Sequence, residues 1–309
     1  MALLFISNND SPSDWQEALA SLEPELDFRI WPDLGKPSEI EVALVWKHPA
    51  GSLGELLNLK LIQSLGAGID HVLADPGLPD NVPIARLVDT ELTRQMVEYV
   101  VLAVLNRHRR IDELRRAQLR GDWQVIQPVP IGRSRVGLLG FGQMGQAASN
   151  ALINLGFNVA AWTRSPRSVG SLTSYHGSEG FTKILQTSDI LICLLPLTPQ
   201  THGLLNAKAF AALPAEAYVI NVARGAHLVD EDLLAAIDSG HLSGAWLDVF
   251  DEEPLPADHP FWTHPQIVIT PHLAGLTVAS SAATQVINNL RLVRTGKSPQ
   301  NLVNPEIGY

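Results

Sequence analysis

Six residues, Gly140-Phe141-Gly142-Gln143-Met144-Gly145, constrain this chain more than any others in it. They follow the apolar run Val136-Gly137-Leu138-Leu139 directly and open a stretch of helical periodicity over 143–155. A strand that turns at once into a helix needs a residue free to take unusual backbone angles, which Gly140 supplies. Gly142 lets the backbone come close to a ligand, and Gly145 lets the helix pack near the strand. Unsatisfied amides at the helix start, together with the positive end of the helix dipole, favour an anion. A glycine pattern alone is also an ordinary strand-to-helix turn. With the strand before it and the helix after it, the motif points to the pyrophosphate of a dinucleotide.

The segments around this turn repeat its rhythm. Strand candidates at 136–139, 159–163, 190–194, 218–221, 245–249 and 267–270 alternate with helical patterns such as 143–155 and 231–238. That predicts a doubly wound parallel sheet of six strands, with Asp230 capping the latter helix and Gly240 ending it. A similar alternation comes first. Residues 3–7, 28–30, 42–45, 61–64 and 84–87 read as strands, and Ser13 with Gln16 reads as a capping box. A proline-free helical stretch runs from Thr90 to Leu119, and Gly121-Asp122-Trp123 and Pro128-Val129-Pro130 break it. The last helix, over 278–295, follows the second sheet and is placed to cross back to the first. A chain of 309 residues, 46% hydrophobic and 17% charged, suits an α/β protein with two cores. The expected division is 1–98 plus 277–309 for one domain and 99–276 for the other.

The strand after the glycine loop indicates which dinucleotide. An NAD site of this type places a carboxylate on the ribose hydroxyls about 20 residues past the glycines. Here that position holds Trp162-Thr163-Arg164-Ser165-Pro166-Arg167, with no acidic residue. A carboxylate would repel the 2′-phosphate of NADP, whereas Arg164 and Arg167 can bind it with charge-assisted hydrogen bonds. NADPH is therefore expected over NADH, the plainer reading being two exposed loop arginines. Three further side chains sit at strand ends, where open α/β sheets build their sites. They are Arg224 in Asn221-Val222-Ala223-Arg224-Gly225, Glu253 after Asp248-Val249-Phe250, and His272 after Pro271. Each alone is as readily structural. Together they put a guanidinium, a carboxylate and an imidazole on loops of one sheet.

These segments, with Glu253-Pro254-Leu255 and Pro271-His272-Leu273-Ala274-Gly275, resemble the signatures of the D-isomer-specific 2-hydroxyacid dehydrogenases. Ser64-Leu65-Gly66-Ala67-Gly68-Ile69-Asp70 extends the likeness into the first domain. Val45-Trp46-Lys47, Gln95-Met96-Val97-Glu98-Tyr99, Trp162-Thr163-Arg164-Ser165 and the closing Gly308-Tyr309 are similar to the glyoxylate/hydroxypyruvate reductases of type A within that family. The resemblance implies a flavodoxin-like substrate domain, a Rossmann cofactor domain and a cleft between them that closes over the substrate. It implies NADPH-dependent reduction of small 2-oxo acids, glyoxylate to glycolate and hydroxypyruvate to D-glycerate. His272 would donate a proton to the carbonyl oxygen, and Glu253 would hold the other ring nitrogen and fix its tautomer. Arg224 would polarise the carbonyl and help to hold the substrate carboxylate. The loop Gly66-Ala67-Gly68 would present backbone amides to that carboxylate, and Trp46 would line the pocket. The cofactor would meet Gly140, Phe141, Gly142, Gln143, Met144 and Gly145, then Thr163, Arg164, Ser165 and Arg167. Leu195, Pro196, Ala223, Asp248 and Gly275 would complete its site. Asp248 resembles the residue that bonds the nicotinamide carboxamide; its other reading is to orient the loop carrying Glu253.

A formal net charge of −10 argues against nucleic acid as a partner. The arginines between 107 and 120 read as a solvated helix face or a dimer contact; the resemblance implies a homodimer, in which the 90–119 stretch could pack against its copy. No apolar run approaches the ~20 residues that span a bilayer, and the N-terminus has no basic region of a signal peptide. A single cysteine, Cys193, lies in an apolar run, which suits a core residue in a reducing cytoplasm. No residues have metal-site spacing, and His48, His71, His227 and His241 read as structural or exposed. Two other functions fit the fold. One is an NAD-dependent dehydrogenase for another acid, such as 3-phosphoglycerate or a larger 2-oxo acid. The other is a nucleotide-sensing protein, which would leave Arg224, Glu253 and His272 unused.

Overall fold

Short apolar runs rich in Leu, Ile and Val become strands buried on both faces, the expected state of parallel sheets. The structure is a computed structural model that describes residues 2–166 and 172–309. Strands β1 (Ala2–Ser7), β2 (Asp27–Ile30), β3 (Ile40–Trp46), β4 (Leu61–Ser64) and β5 (Ile84–Ala85) form a parallel sheet of order β2-β1-β3-β4-β5. In β1, Leu3 and Phe5 join one core while Ala2, Leu4 and Ile6 join the core on the opposite face. The period-2 geometry of a strand thus turns one continuous apolar run into two packing faces.

Among the described residues the second sheet has seven strands, one more than expected. They are β6 (Arg135–Leu139), β7 (Asn158–Thr163), β8 (Thr173–His176), β9 (Ile190–Cys193), β10 (Ala217–Asn221), β11 (Leu242–Leu247) and β12 (Ile267–Ile269). The order is β12-β11-β10-β9-β6-β7-β8, all parallel. The additional strand, β8, is a short edge of Thr, Ser, Tyr and His with no apolar run to announce it. The order reverses between β6 and β9, and such a switch point opens a crevice at the carboxyl ends of the strands.

The helices are α1 (Pro12–Leu22), α2 (Asp70–Leu73), α3 (Thr90–His108), α4 (Ile111–Leu119), α5 (Gln143–Asn154), α6 (Gly177–Gln186), α7 (Ala207–Ala212), α8 (Asp230–Asp238) and α9 (Ala279–Arg294). Three local expectations are corrected. Ser11, not Ser13, caps α1: its side chain accepts from the Asp14 amide, and Pro12 takes the first helical position, where its missing N–H costs nothing. The 90–119 stretch is two helices, because Arg110 adopts left-handed backbone (φ +54°) and Asn106 reaches across to Asp112 at 2.7 Å. Val229 is the cap position of α8, with Asp230 its first residue; Gly240 follows its end at φ +76°.

The chain divides into two compact units, Met1–Leu92 with Leu276–Tyr309, and Thr93–Gly275. Boundaries at 98/99 and 276/277 were expected from the sequence. The first junction lies inside the unbroken helix α3, so no turn residue marks it. Helix α9 returns to the first unit, burying Ala282, Ala283, Val286, Ile287 and Leu290 with Trp15 and Leu19 of α1. Its buried Asn289 donates to Gln63 and accepts from the Gln300 amide, so the polar group is satisfied where burial alone would penalise it.

Candidate active site

The glycine loop follows β6 at the switch point. Gly140 has φ +99°, and a methyl group there would stand 2.7 Å from the Leu194 carbonyl oxygen. A methyl group on Gly145 would collide with the Gly140 carbonyl. Gly142, the cap position of α5, has nothing within 4 Å of that direction. Two glycines therefore permit the fold, and the third leaves open the face on which a pyrophosphate would approach helix amides. The cradle fits a dinucleotide. Gln143 and Met144 form the first turn of α5, and Phe141 is buried in the core. Leu195 and Pro196 follow β9; Leu195 packs on the core, and the Pro196 carbonyl accepts from Thr201 at 2.8 Å.

At the end of β7, Arg164 and Ser165 are exposed. The Thr163 hydroxyl is turned inward to the Ser165 and Tyr175 carbonyls, at 2.8 and 3.2 Å, so it shapes the turn. Arg167 lies outside the described residues.

The acid–base candidates occupy three adjacent strand ends. Arg224 follows β10, Glu253 follows β11 and His272 follows β12. The Glu253 carboxylate accepts from His272 Nδ1 at 2.9 and 3.1 Å, and from the Phe250 amide at 3.1 Å. Because a carboxylate only accepts, the proton sits on Nδ1, and Nε2 is the atom turned away from Glu253. The two side chains are 27% and 19% exposed, half-buried at the surface of the unit. His272 itself has φ +53°, an uncommon conformation for a residue with a side chain.

Backbone contacts hold these loops. Asn221 Nδ2 donates to the Arg224 carbonyl at 2.9 Å while its Oδ1 accepts from the Ala223 amide at 3.2 Å. Arg224 Nη1 donates to the Ala223 carbonyl at 2.7 Å. A side chain at Gly225 would overlap the backbone of Phe250 and Asp251, so only glycine lets the Arg224 loop lie against the Glu253 loop. Asp248 is buried, and its carboxylate accepts from the Leu273 and Ala274 amides at 2.9 and 2.8 Å. Its carbonyl accepts from the His272 amide at 2.8 Å. Asp248 thus holds the loop carrying His272, which precedes Gly275, rather than the Glu253 loop of its second sequence reading.

In the first unit, Trp46 ends β3 and lies over Gly66, where a methyl group would stand 2.5 Å from the indole. The Gly66 amide is used by Ser64 Oγ, and Ser64 donates to the Gly68 carbonyl. Trp46 meets the His71 ring edge-on at 4.6 Å, and His71 Nδ1 accepts from the Lys47 amide. Among the described residues no group of His, Cys, Asp and Glu could hold a metal ion.

Sequence reasoning passed over two contributors. His227 is fully buried, with Nδ1 3.0 Å from the Arg224 carbonyl and Nε2 3.2 Å from the Pro196 carbonyl, so its ring packs between two site loops and can donate to either. Thr270 donates to Asp248 at 2.6 Å. Neither has a local signal, since Pro196 lies 31 residues from His227 and Asp248 lies 22 from Thr270.

Comparison with known proteins agrees with this geometry. Residues 101–274 match the family model described as D-isomer specific 2-hydroxyacid dehydrogenase, NAD binding domain. Glyoxylate/hydroxypyruvate reductase A of Yersinia enterocolitica is 41% identical, with all of both chains covered. A D-isomer specific 2-hydroxyacid dehydrogenase from Xanthobacter autotrophicus, solved with NADPH and MES, has a TM-score of 0.96 at 41% identity, covering 100% of this chain and 99% of that one. An NADPH-dependent glyoxylate/hydroxypyruvate reductase from Sinorhizobium meliloti, solved with NADP and sulfate, has a TM-score of 0.93 at 33% identity over the whole of both chains.

Proposed function

The chain belongs to the D-isomer specific 2-hydroxyacid dehydrogenase family, and on that premise we propose that it reduces glyoxylate to glycolate and hydroxypyruvate to D-glycerate with NADPH. The observation that carries this reading is the His272–Glu253 pair beside the Arg224 loop, at the carboxyl ends of neighbouring strands. NADPH, when bound, supplies the hydride. Nε2 of His272 delivers a proton to the carbonyl oxygen as C2 is reduced, and Glu253 balances the charge of the ring before transfer. Arg224 polarises that oxygen and holds the carboxylate, which fixes the face of C2 presented for reduction. With the Gly66 amide engaged by Ser64, carboxylate binding by backbone amides falls to Ala67 and Gly68. Arg164, Ser165 and Arg167 bind the 2′-phosphate of NADPH, and the glycine loop binds the pyrophosphate.

The test is the initial rate of cofactor oxidation with NADPH and NADH separately, on glyoxylate and then hydroxypyruvate. Fast turnover with NADPH and poor turnover with NADH is expected. Faster turnover with NADH would overturn the cofactor assignment alone. No turnover of either acid, with tight cofactor binding, would leave a different substrate or a sensing role.

Assembly and compartment belong to the same proposal. Leu119, Trp123 and Val125 are 87%, 97% and 75% exposed, three apolar side chains within seven residues that a lone subunit leaves in water. We propose that it is covered in a homodimer. Among the described residues no helix is long and apolar enough to cross a membrane. Cys193 is buried, and burial pushes its thiol up to about 12, which fits a core residue in a reducing cytoplasm.

A further inference from the structure

Tyr99 lies on α3, yet its hydroxyl reaches the strand-end loops through a buried chain of hydrogen bonds. Trp246 Nε1 donates to the Tyr99 hydroxyl at 2.6 Å. That hydroxyl is bonded to Thr270 Oγ1, and Thr270 Oγ1 donates to Asp248 Oδ1 at 2.6 Å. The polarity of the chain is forced. An indole N–H can only donate, a carboxylate can only accept, and each hydroxyl has one hydrogen. Thr270 gives its hydrogen to Asp248, so Tyr99 must give its own to Thr270.

The chain ends on the two amides that follow His272, those of Leu273 and Ala274, both held by the Asp248 carboxylate. Oδ1 serves Thr270 and Leu273 while Oδ2 serves Ala274, so the Thr270 hydroxyl helps to set the plane of the carboxylate. Left-handed backbone at His272 persists only where its surroundings over-determine it. Burial pushes the Tyr99 phenol up to about 12, so it stays a donor across any ordinary assay pH. Tyr99, Trp246 and Asp248 are buried and Thr270 partly so, where a broken link leaves polar groups poorly reached by water.

We infer that Tyr99 and Thr270 are positioning residues for His272. Their hydroxyls orient the Asp248 carboxylate, which sets the backbone of the loop that presents the imidazole. This rests on the reading of His272 as the proton donor.

The test compares Tyr99→Phe, Thr270→Val and Thr270→Ser in the intact enzyme. For the first two, kcat on glyoxylate is expected to fall on the order of tenfold, the KM for NADPH staying unchanged. Thr270→Ser keeps the hydroxyl and is expected to retain wild-type kcat. Hydrogen exchange at the Leu273 and Ala274 amides, followed without substrate, is expected to quicken in Tyr99→Phe and Thr270→Val but not in Thr270→Ser. Exchange decides the matter even if the wild-type enzyme turns over neither acid, an outcome that sinks the proposed reaction only. Wild-type kcat in the relay-breaking variants overturns the inference. So does unchanged exchange, or a Thr270→Ser variant as impaired as Thr270→Val. Should Tyr99→Phe fail to fold, the Thr270 pair carries the same decision.

Discussion

In the proposed reaction, His272 and Glu253 divide the work of acid–base chemistry by position. Glu253 is tied at once to the imidazole and to the Phe250 amide, so it orients the ring and is itself held. His272→Gln removes the proton donor, and kcat for reduction is expected to fall by about 10²–10⁴-fold, with cofactor affinity measured by fluorescence titration unchanged. Glu253→Gln keeps a hydrogen-bond acceptor but loses the charge, so its loss of kcat is expected to be smaller than that of His272→Gln under the same assay. At the other end of the cofactor, the double change Arg164→Ala with Arg167→Ala is expected to lower kcat/KM for NADPH on the order of 10–100-fold while leaving NADH unaffected. Equal losses with both cofactors would place the arginines away from the 2′-phosphate.

The glycine loop shows how one element combines folding and binding. Gly145 is needed by the chain itself, because a side chain there meets the Gly140 carbonyl; Gly142 faces open space. Gly145→Ala is expected to destabilise the protein by about 1–3 kcal/mol, the range for overpacking, read as a lower melting temperature. Gly142→Ala should melt near the wild type but bind NADPH weakly, since the added methyl stands where the pyrophosphate approaches. The loop was legible in the sequence because strand, turn and helix are contiguous. The break between α3 and α4 was not, since Arg110 carries no turn signature and its left-handed backbone accompanies contacts such as Asn106 to Asp112. Strand β8 escaped for a related reason. A polar edge strand shows no alternation, and its partner β7 supplies the pairing.

At the scale of the whole molecule, each sheet is covered on both faces by its own helices, and each unit has its own cores. The arginine-rich segment beside α4 belongs to this scale. Its exposed Trp123 and Val125 are the side chains that the proposed dimer would cover. Trp123→Glu is expected to shift the protein from dimer to monomer in light scattering. A wild-type monomer at assay concentrations would remove the dimer proposal.

Two alternating α/β patterns, the glycine loop and the strand ends on which Arg224, Glu253 and His272 stand are legible in the order of residues alone. These are local properties, written in periodicity and turn chemistry within a few residues of each other. Packing in three dimensions was needed to show that Glu253 holds His272 through Nδ1, that Gly225 lets two site loops touch, and that the His227 ring lies between the Arg224 and Pro196 carbonyls. It alone decided that Asp248 serves the His272 loop and that Tyr99, 147 residues before Trp246, shares its hydrogen-bond chain. Hydrogen bonds of this kind depend on directions and distances to within a few tenths of an ångström. Those are set by how strands pair and helices pack, and no residue carries that information until its distant partners are in place.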